Sequence, residues 1–322
     1  MSFKNIIGHE KQINLLQKIA HTKQLASAYA FSGISGIGKK KVAFEFIKML
    51  NCDDNGCEVC TSCHKINHGN HPDIITLAPS EKNKNIKIEE VRKLHHTLAY
   101  APYEAKYRFI IIDEADCLTE ASSNALLKSL EEVPHHTSFI LITTSPQKLL
   151  PTIISRCQKI IFSPLKTNEI IEILSHLTIP PDTYIPLLAS MAEGSVERAL
   201  LLSESLISKE KRITLIKNLK EKHPLDWASE LTQEDIHFLK TWFRDVLILK
   251  SIPDLSETLI NQDLKDLIHK ESEILTKQDI IHKMDVVLEA ENRLEWNVNK
   301  QLNNEWLGLQ LKKQDVSHCE RM

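Results

Sequence analysis

The sequence is poor in features that mark several classes of protein, and each shortage excludes one of them. It has only 8 glycines and 12 prolines among 322 residues, which argues against long disordered linkers. No apolar run approaches the roughly 20 residues that span a bilayer, and no apolar signal segment follows Met1. The formal net charge of −3 gives no general attraction to nucleic acid or to anionic membranes. We therefore expect a cytoplasmic protein without membrane contact, in which binding of nucleic acid would need a local patch or partner chains.

The pattern of apolar residues predicts two kinds of architecture along the chain. The length allows two or three domains, and 42% hydrophobic and 26% charged residues are ordinary for a globular protein. Strands alternate with helices in the first half, and the strands are continuous apolar runs, which indicates a parallel sheet covered on both faces. The predicted strands are 28–32, 73–77, 108–113, 138–143 and 159–162, and the predicted helices between them are 10–19, 39–50, 88–99 and 120–132. After Pro164 the strand signals thin out and helical periodicity takes over.

A glycine-rich segment follows the first predicted strand and opens the next helix. Residues 33–39 fit the pattern G-x-x-x-x-G-K, with Gly33, Gly36, Gly38 and Lys39 at the positions that cradle a phosphate. Backbone N–H groups converge on an anion there, and the helix N-terminus adds its dipole. The next position normally carries a hydroxyl that holds Mg²⁺, but here it is Lys40. We expect ATP and Mg²⁺ to bind weakly or not at all.

Polar residues follow two later strands and could complete such a site. Asp113 and Glu114 stand at the end of an apolar run, where a P-loop NTPase places the carboxylates that hold Mg²⁺ and polarise water. We call the glycine-rich segment 33–39 the phosphate loop. Without it, Asp113 and Glu114 would be only a polar strand end. Thr143 ends the following strand, and it could reach a γ-phosphate or could simply be a β-branched residue at a strand end.

A cluster of cysteines interrupts the α/β pattern. Cys52, Cys57, Cys60 and Cys63 are spaced C-x4-C-x2-C-x2-C within residues 51–65. In a chain from a reducing compartment this spacing indicates a metal site before disulfides. Four thiolates suit tetrahedral Zn²⁺, with bonds of about 2.3 Å. An iron–sulfur cluster is the competing interpretation, and we favour structural zinc because nothing nearby suggests redox chemistry.

Taken together, these residues resemble the bacterial clamp-loader subunits of the AAA+ superfamily over nearly the whole chain. Ser155-Arg156-Cys157 is the most specific short match, because it is similar to the arginine-finger motif of that family. Further matches are the opening box at 7–9, the acidic motif 113–116 with the segment 124–134, the cysteine module, the sensor-like segment 194–200, and the collar-like segments 242–247 and 297–311.

The resemblance implies a fold and a domain organisation. Residues 1–165 would form an α/β AAA+ P-loop core with a parallel sheet, carrying the cysteine module. A small helical lid domain at 166–206 and an all-α collar domain at 207–322 would follow, with the collar serving oligomerisation. Arg198 would lie in the sensor motif of the lid.

Within that family, two differences from the motifs of hydrolysing motor subunits favour a delta-prime-like subunit. Motor subunits keep Gly-Lys-Thr, and their sensor arginine falls where Glu197 stands here; Arg198 comes one residue later. A slip of one residue turns a helical side chain by roughly 100°. The resemblance then implies a subunit that does not hydrolyse ATP itself but supplies Arg156 in trans to a neighbouring ATPase site. Its partners would be motor subunits and a delta-like subunit in a hetero-pentamer that loads the sliding clamp on primer–template DNA during replication.

Two other interpretations stay open at this stage. The first is a gamma/tau-like motor subunit that tolerates Lys40, since Lys39, Asp113 and Glu114 are all retained. The second is a DNA adaptor that uses the cysteine module as a finger. No aromatic residue lies between Cys52 and Cys63, and the net charge is negative, so the sequence disfavours the adaptor.

Overall fold

The structure is a computed structural model that describes residues 3–79, 85–179, 184–205, 209–295 and 299–312. Its contacts divide the chain into two compact units. The first contains Met1–Ile173 with Gly194–Glu197, and the second contains Leu174–Glu193 with Arg198–Met322. The domain boundaries predicted after residues 165 and 206 stay a prediction. Residues 297 and 298, the start of the collar-like segment 297–311, lie outside the described residues.

The first unit is built on a five-stranded parallel sheet. The strands lie in the order β2-β3-β4-β1-β5, so β1 occupies an interior position and pairs with both β4 and β5. All pairings are parallel, and each predicted strand is present to within one residue at either end. The strands are β1 (Ala28–Ser32), β2 (Ile74–Leu77), β3 (Arg108–Ile112), β4 (Thr137–Thr143) and β5 (Gln158–Ile161).

Apolar side chains cover both faces of this sheet because successive residues of a strand point to opposite sides. Tyr29 and Phe31 of β1 join one core cluster, and Ala28 and Ala30 join the other. Every residue of β1, β3 and β4 is buried, which explains why these strands are continuous apolar runs in the sequence. The α/β core with a parallel sheet confirms the predicted fold class.

Helices connect the strands of the first unit and make up the second. Thr119 is the N-cap of α5 as predicted, since its hydroxyl accepts a hydrogen bond from the N–H of Ser122. None of the helices within the described ranges is both long and apolar enough to span a bilayer. The helices are α1 (Glu10–Thr22), α2 (Lys39–Asn51), α3 (Thr61–Asn67), α4 (Ile88–Leu98), α5 (Glu120–Glu131), α6 (Pro151–Ile154), α7 (Thr167–Ser175), α8 (Ile185–Met191), α9 (Val196–Ser205), α10 (Lys209–Glu221), α11 (Pro224–Ser229), α12 (Gln233–Ser251), α13 (Lys265–Ile274), α14 (Lys277–Glu295) and α15 (Lys300–Lys312).

The second unit has its own apolar core, in which α12 is the central element. Trp242 and Phe243 of this helix are buried together with Trp227 of α11 and Leu307 of α15. A separate core is expected for a region that folds as a helical unit of its own. The all-helical character predicted for the C-terminal region is therefore confirmed.

A buried ion pair fixes the turn between α4 and β3 in the first unit. The carboxylate of Asp73 accepts the N–H groups of Tyr103, Glu104 and Ala105, and it pairs with the guanidinium of Arg108. Arg108 in turn donates to the carbonyls of Thr97, Tyr100 and Ala101. Both charged side chains are almost fully buried, so the turn is held from two sides by groups that satisfy its backbone.

Candidate functional site

The phosphate loop lies at the carboxyl edge of the sheet, as predicted. β1 ends at Ser32, which is paired in register with Thr143, and β3 ends just before Asp113. The loop begins at Gly33 and leads into α2, whose first residue is Lys39. Because carboxyl ends of parallel strands meet at one edge, the sheet brings these polar residues together where ligands bind in such folds.

Lys39 is turned onto the loop that precedes it. Its Nζ donates to the carbonyl oxygens of Gly33 and Ile34, each at 2.6 Å. The side chain is buried, and burial lowers the pKa of the ammonium, an effect that the carboxylates of Asp113, Asp116 and Glu197 only partly oppose. In this arrangement Lys39 stabilises the loop by hydrogen bonds to the loop's own carbonyl groups.

Lys40 pairs with the acidic residue that the sequence predicts as a magnesium ligand. Its Nζ lies 2.8 Å from Oδ2 of Asp113. An ammonium cannot coordinate a metal, and here it also occupies one oxygen of the carboxylate. The residues present therefore do not fit a Mg²⁺ site of the P-loop type. Glu114, the second predicted carboxylate, is exposed and has a positive φ of 49°.

Thr143 takes part in a hydrogen-bond network that the sequence did not indicate. Its Oγ1 donates to Asp116 at 2.8 Å, and the N–H and hydroxyl of Thr144 donate to the same carboxylate. Burial raises the pKa of Asp116, but these hydrogen bonds outweigh it and lower the pKa below its usual value. In the sequence, Asp116 stands out only because it lies three residues after Asp113 in the acidic motif, and that position does not identify Thr143 as its partner.

The segment 194–197 closes over the tip of the phosphate loop. The hydroxyl of Ser35 donates to Oε2 of Glu197 at 2.8 Å, and the N–H of Val196 donates to the carbonyl of Gly36 at 3.0 Å. The approach is so tight that a Cβ on Gly36 would clash with Ser195 and Glu197. In the sequence, position 197 was notable only because it carries glutamate where motor subunits have the sensor arginine. The structure places a carboxylate there in direct contact with the loop.

Arg198 belongs to the second unit, where it pairs with Glu193 at 2.6 Å. The place of Arg198 in the sensor motif of a degenerate nucleotide site stays a prediction. Arg156, the predicted arginine finger, follows α6 in the first unit. Its Nη2 lies 2.8 Å from Oε1 of Glu131, and its side chain is partly exposed.

The four cysteines form a compact cluster at the end of α2 and the start of α3. Their sulfur atoms all lie within 4.8 Å of one another, and the sulfurs of Cys52 and Cys60 are 3.7 Å apart. The N–H groups of Cys57, Cys60 and Cys63 each point to a cysteine sulfur at 3.3–3.4 Å. Burial raises the pKa of the Cys52 thiol, but backbone N–H groups that donate hydrogen bonds to its sulfur outweigh this effect and lower the pKa to about 7. This set of sulfurs fits a tetrahedral metal ion.

Comparison with known proteins assigns the family. A family model described as "DNA polymerase III, delta subunit" matches residues 8–166. The delta-prime subunit of DNA polymerase III from Bacillus subtilis is 33% identical over 317 residues, which cover 93% of this chain and 94% of that protein. The chain belongs to the DNA polymerase III clamp-loader subunit family.

Other members of the clamp-loader family are also similar to it. The tau subunit of Bacillus subtilis DNA polymerase III is 29% identical over 91% of this chain, which spans only 58% of the length of that tau subunit. A gamma-subunit-related protein from Thermotoga maritima, known as a crystal structure, aligns with 92% of this chain and 99% of its own, with 16% identity and a TM-score of 0.45. Because both delta-prime and tau subunits are relatives, family membership does not by itself decide between their roles.

Proposed function

We propose that this chain is a delta-prime-like subunit of the clamp loader that does not hydrolyse ATP. It would act in a hetero-pentamer with motor subunits and a delta-like subunit, in the cytoplasm, as an accessory part of the polymerase holoenzyme. The assembly would place the sliding clamp on primer–template DNA. Support for this role comes from the site residues and from the 33% identity to a delta-prime subunit.

The observation that carries this proposal is the ion pair between Lys40 and Asp113. A P-loop ATPase needs Mg²⁺ to bridge the phosphates and neutralise the charge that develops on them. Here the carboxylate is paired with a tethered cation, and the hydroxyl ligand is absent from position 40.

Two further contacts work against binding of a nucleotide. Lys39, whose ammonium would meet the β- and γ-phosphates, donates instead to carbonyls of its own loop. The carboxylate of Glu197 lies against Ser35 of the same loop, so it would repel an approaching triphosphate. To hold a nucleotide, Lys39 would have to exchange its carbonyl hydrogen bonds for phosphate contacts, and the phosphates would have to overcome repulsion by Glu197.

In the proposed role Arg156 acts outside its own subunit. A guanidinium matches the charge that spreads over phosphate oxygens in the transition state of phosphoryl transfer. Arg156 is partly exposed, so a neighbouring subunit can meet it. The cysteine cluster would hold structural zinc and organise a segment that is too short to form its own core.

The proposal is tested in the assembled complex. We expect Arg156→Ala to lower DNA-dependent ATP turnover by a large factor, up to the roughly 10³–10⁵ that such arginines supply. Assembly, measured by size-exclusion chromatography with light scattering, should be unchanged, and clamp loading should fall with turnover. Unchanged turnover in the mutant complex would remove the proposed role of Arg156.

A second candidate function is that of a gamma/tau-like motor subunit. The tau relatives favour it, and so do Lys39, Asp113 and Glu114, all of which are retained. Magnesium-dependent ATP hydrolysis by the purified chain alone, abolished by Lys39→Ala, would establish this candidate in place of the first.

A further inference from the structure

Arg156 is held by two different elements of the first unit. Its Nη2 donates to Oε1 of Glu131, the last residue of α5, at 2.8 Å. Its Nη1 donates to the carbonyl of Thr152, within α6, at 2.9 Å. A guanidinium is planar, so two contacts at different nitrogens fix its plane as well as its position.

The pair is exposed rather than buried. The side chain of Arg156 is 37% exposed and that of Glu131 is 52% exposed. Exposed ion pairs stabilise a fold by little, because solvent screens them. Within the described part of the chain the two hydrogen bonds use only some of the N–H donors of the guanidinium, so others remain for a second partner. The contact therefore adds little to the stability of the fold.

We propose that Glu131 is a positioning residue for Arg156. The inference rests on the proposed function, in which Arg156 completes the ATP site of a neighbouring subunit. A long side chain that is already oriented loses less freedom when it meets the transition state, and small errors of placement are costly for catalysis. Glu131 touches no reacting group itself and acts only through the guanidinium.

The test uses the reconstituted complex with saturating primed DNA. We expect Glu131→Ala to lower kcat for ATP by about 2- to 5-fold, the range set by the strength of exposed ion pairs. The KM for ATP should be unchanged, because the contact matters in the transition state. Glu131→Gln should recover most of the loss, since an amide oxygen can still accept the hydrogen bond. Glu132→Ala, which removes the neighbouring exposed carboxylate, is the matched control and should behave like the wild type.

A double mutant separates positioning from an effect on the interface. In the Arg156→Ala background, Glu131→Ala should cause no further loss, because the residue through which it acts is gone. The proposal would be overturned if Glu131→Ala lowered kcat by the same factor in the Arg156→Ala background as in the wild-type background. It would also be overturned if Glu131→Ala alone left kcat unchanged or increased it. An increased kcat would mean that the carboxylate restrains the arginine.

The same set of complexes distinguishes this proposal from the one on which it rests. If Arg156→Ala leaves turnover unchanged, the role of the arginine fails and the positioning role fails with it. If Arg156→Ala lowers turnover and Glu131→Ala does not, only the positioning role fails.

Discussion

Lys40 and Asp113 are joined by an ion pair in which Nζ lies 2.8 Å from Oδ2. Lys40 stands in the first turn of α2, and Asp113 follows directly after β3, so the parallel sheet brings together two residues that are far apart in the sequence. In a hydrolysing relative this edge of the sheet would hold a metal ion. Here a cation supplied by the chain itself meets the carboxylate.

Replacement of Lys40 by threonine should restore a measurable affinity for Mg²⁺-ATP. The change removes the ion pair and supplies the hydroxyl ligand, and the double variant Lys40→Thr/Glu197→Ala should bind more tightly because it also removes the carboxylate beside Ser35. Titration with a fluorescent ATP analogue, with and without Mg²⁺, measures the effect. Lys41→Thr alters an exposed neighbour and should bind no better than the wild type. Failure of the double variant to bind would contradict this account of the site.

The purified chain should contain about one zinc ion, bound by the four cysteines. Cys57→Ser should lower the zinc content and the thermal stability, because a metal that binds only the folded state stabilises it. Elemental analysis of protein prepared without chelators measures the metal. Cys117→Ser is the control, since Cys117 lies outside the cluster, and its zinc content should match the wild type. Protein without zinc would exclude the zinc site, and iron in its place would support the iron–sulfur alternative.

Gly36→Ala should destabilise the first unit more than Gly69→Ala does. The two glycines have similar φ values, +71° and +67°, so a Cβ causes similar backbone strain of about 1–2 kcal/mol at both. At Gly36 the Cβ also meets Ser195 and Glu197, whereas at Gly69 it meets nothing within 4 Å. Overpacking of this kind costs roughly a further 1–3 kcal/mol. Urea unfolding of both variants gives the comparison. Equal losses would show that residues 195–197 do not close on the loop in solution.

The stability of the second unit should fall in acid through Glu291. Burial raises the pKa of this carboxyl, but hydrogen bonds from His237 and Lys240 outweigh it and lower the pKa from 4.5 to about 2. A lowered pKa in the folded state stabilises the fold above the ordinary pKa, and that contribution is lost as the pH falls towards the folded value. The free energy of unfolding should therefore depend more steeply on pH between about 4.5 and 2 in the wild type than in Glu291→Gln. Glu289→Gln, which removes an exposed carboxylate paired with Arg293, should keep the steeper dependence.

The sequence could predict the sheet because burial on both faces leaves a direct trace in it. β1, β3 and β4 are buried along their whole length, and short continuous apolar runs are typical of strands in that position. The phosphate loop, the acidic residues after β3 and the cysteine cluster were predictable for a similar reason, since each is a local pattern with a fixed spacing.

Contacts that join distant parts of the sequence could not be predicted in the same way. Lys40 stands where a hydroxyl residue is expected, so the sequence predicted the loss of a magnesium ligand. It did not show that the ammonium of Lys40 pairs with Asp113. Ser35 and Glu197 are 162 residues apart, and no periodicity or spacing connects them. Thr143 was expected to face a phosphate or to end a strand, and its bond to Asp116 depends on how two strand ends meet. Such pairings are decided by the three-dimensional path of the chain.

The turn held by Asp73 and Arg108 has a consequence for whatever molecule meets it. Tyr100 and Tyr103 are 75% and 85% exposed, yet the backbone around them is fixed by buried charges on both sides. Surface loops usually lose conformational freedom when a partner arrives, and that loss weakens the complex. In this turn hydrogen bonds to Asp73 and Arg108 already restrain the backbone in the folded chain, so the two phenol rings stand on the surface with less backbone freedom left to lose.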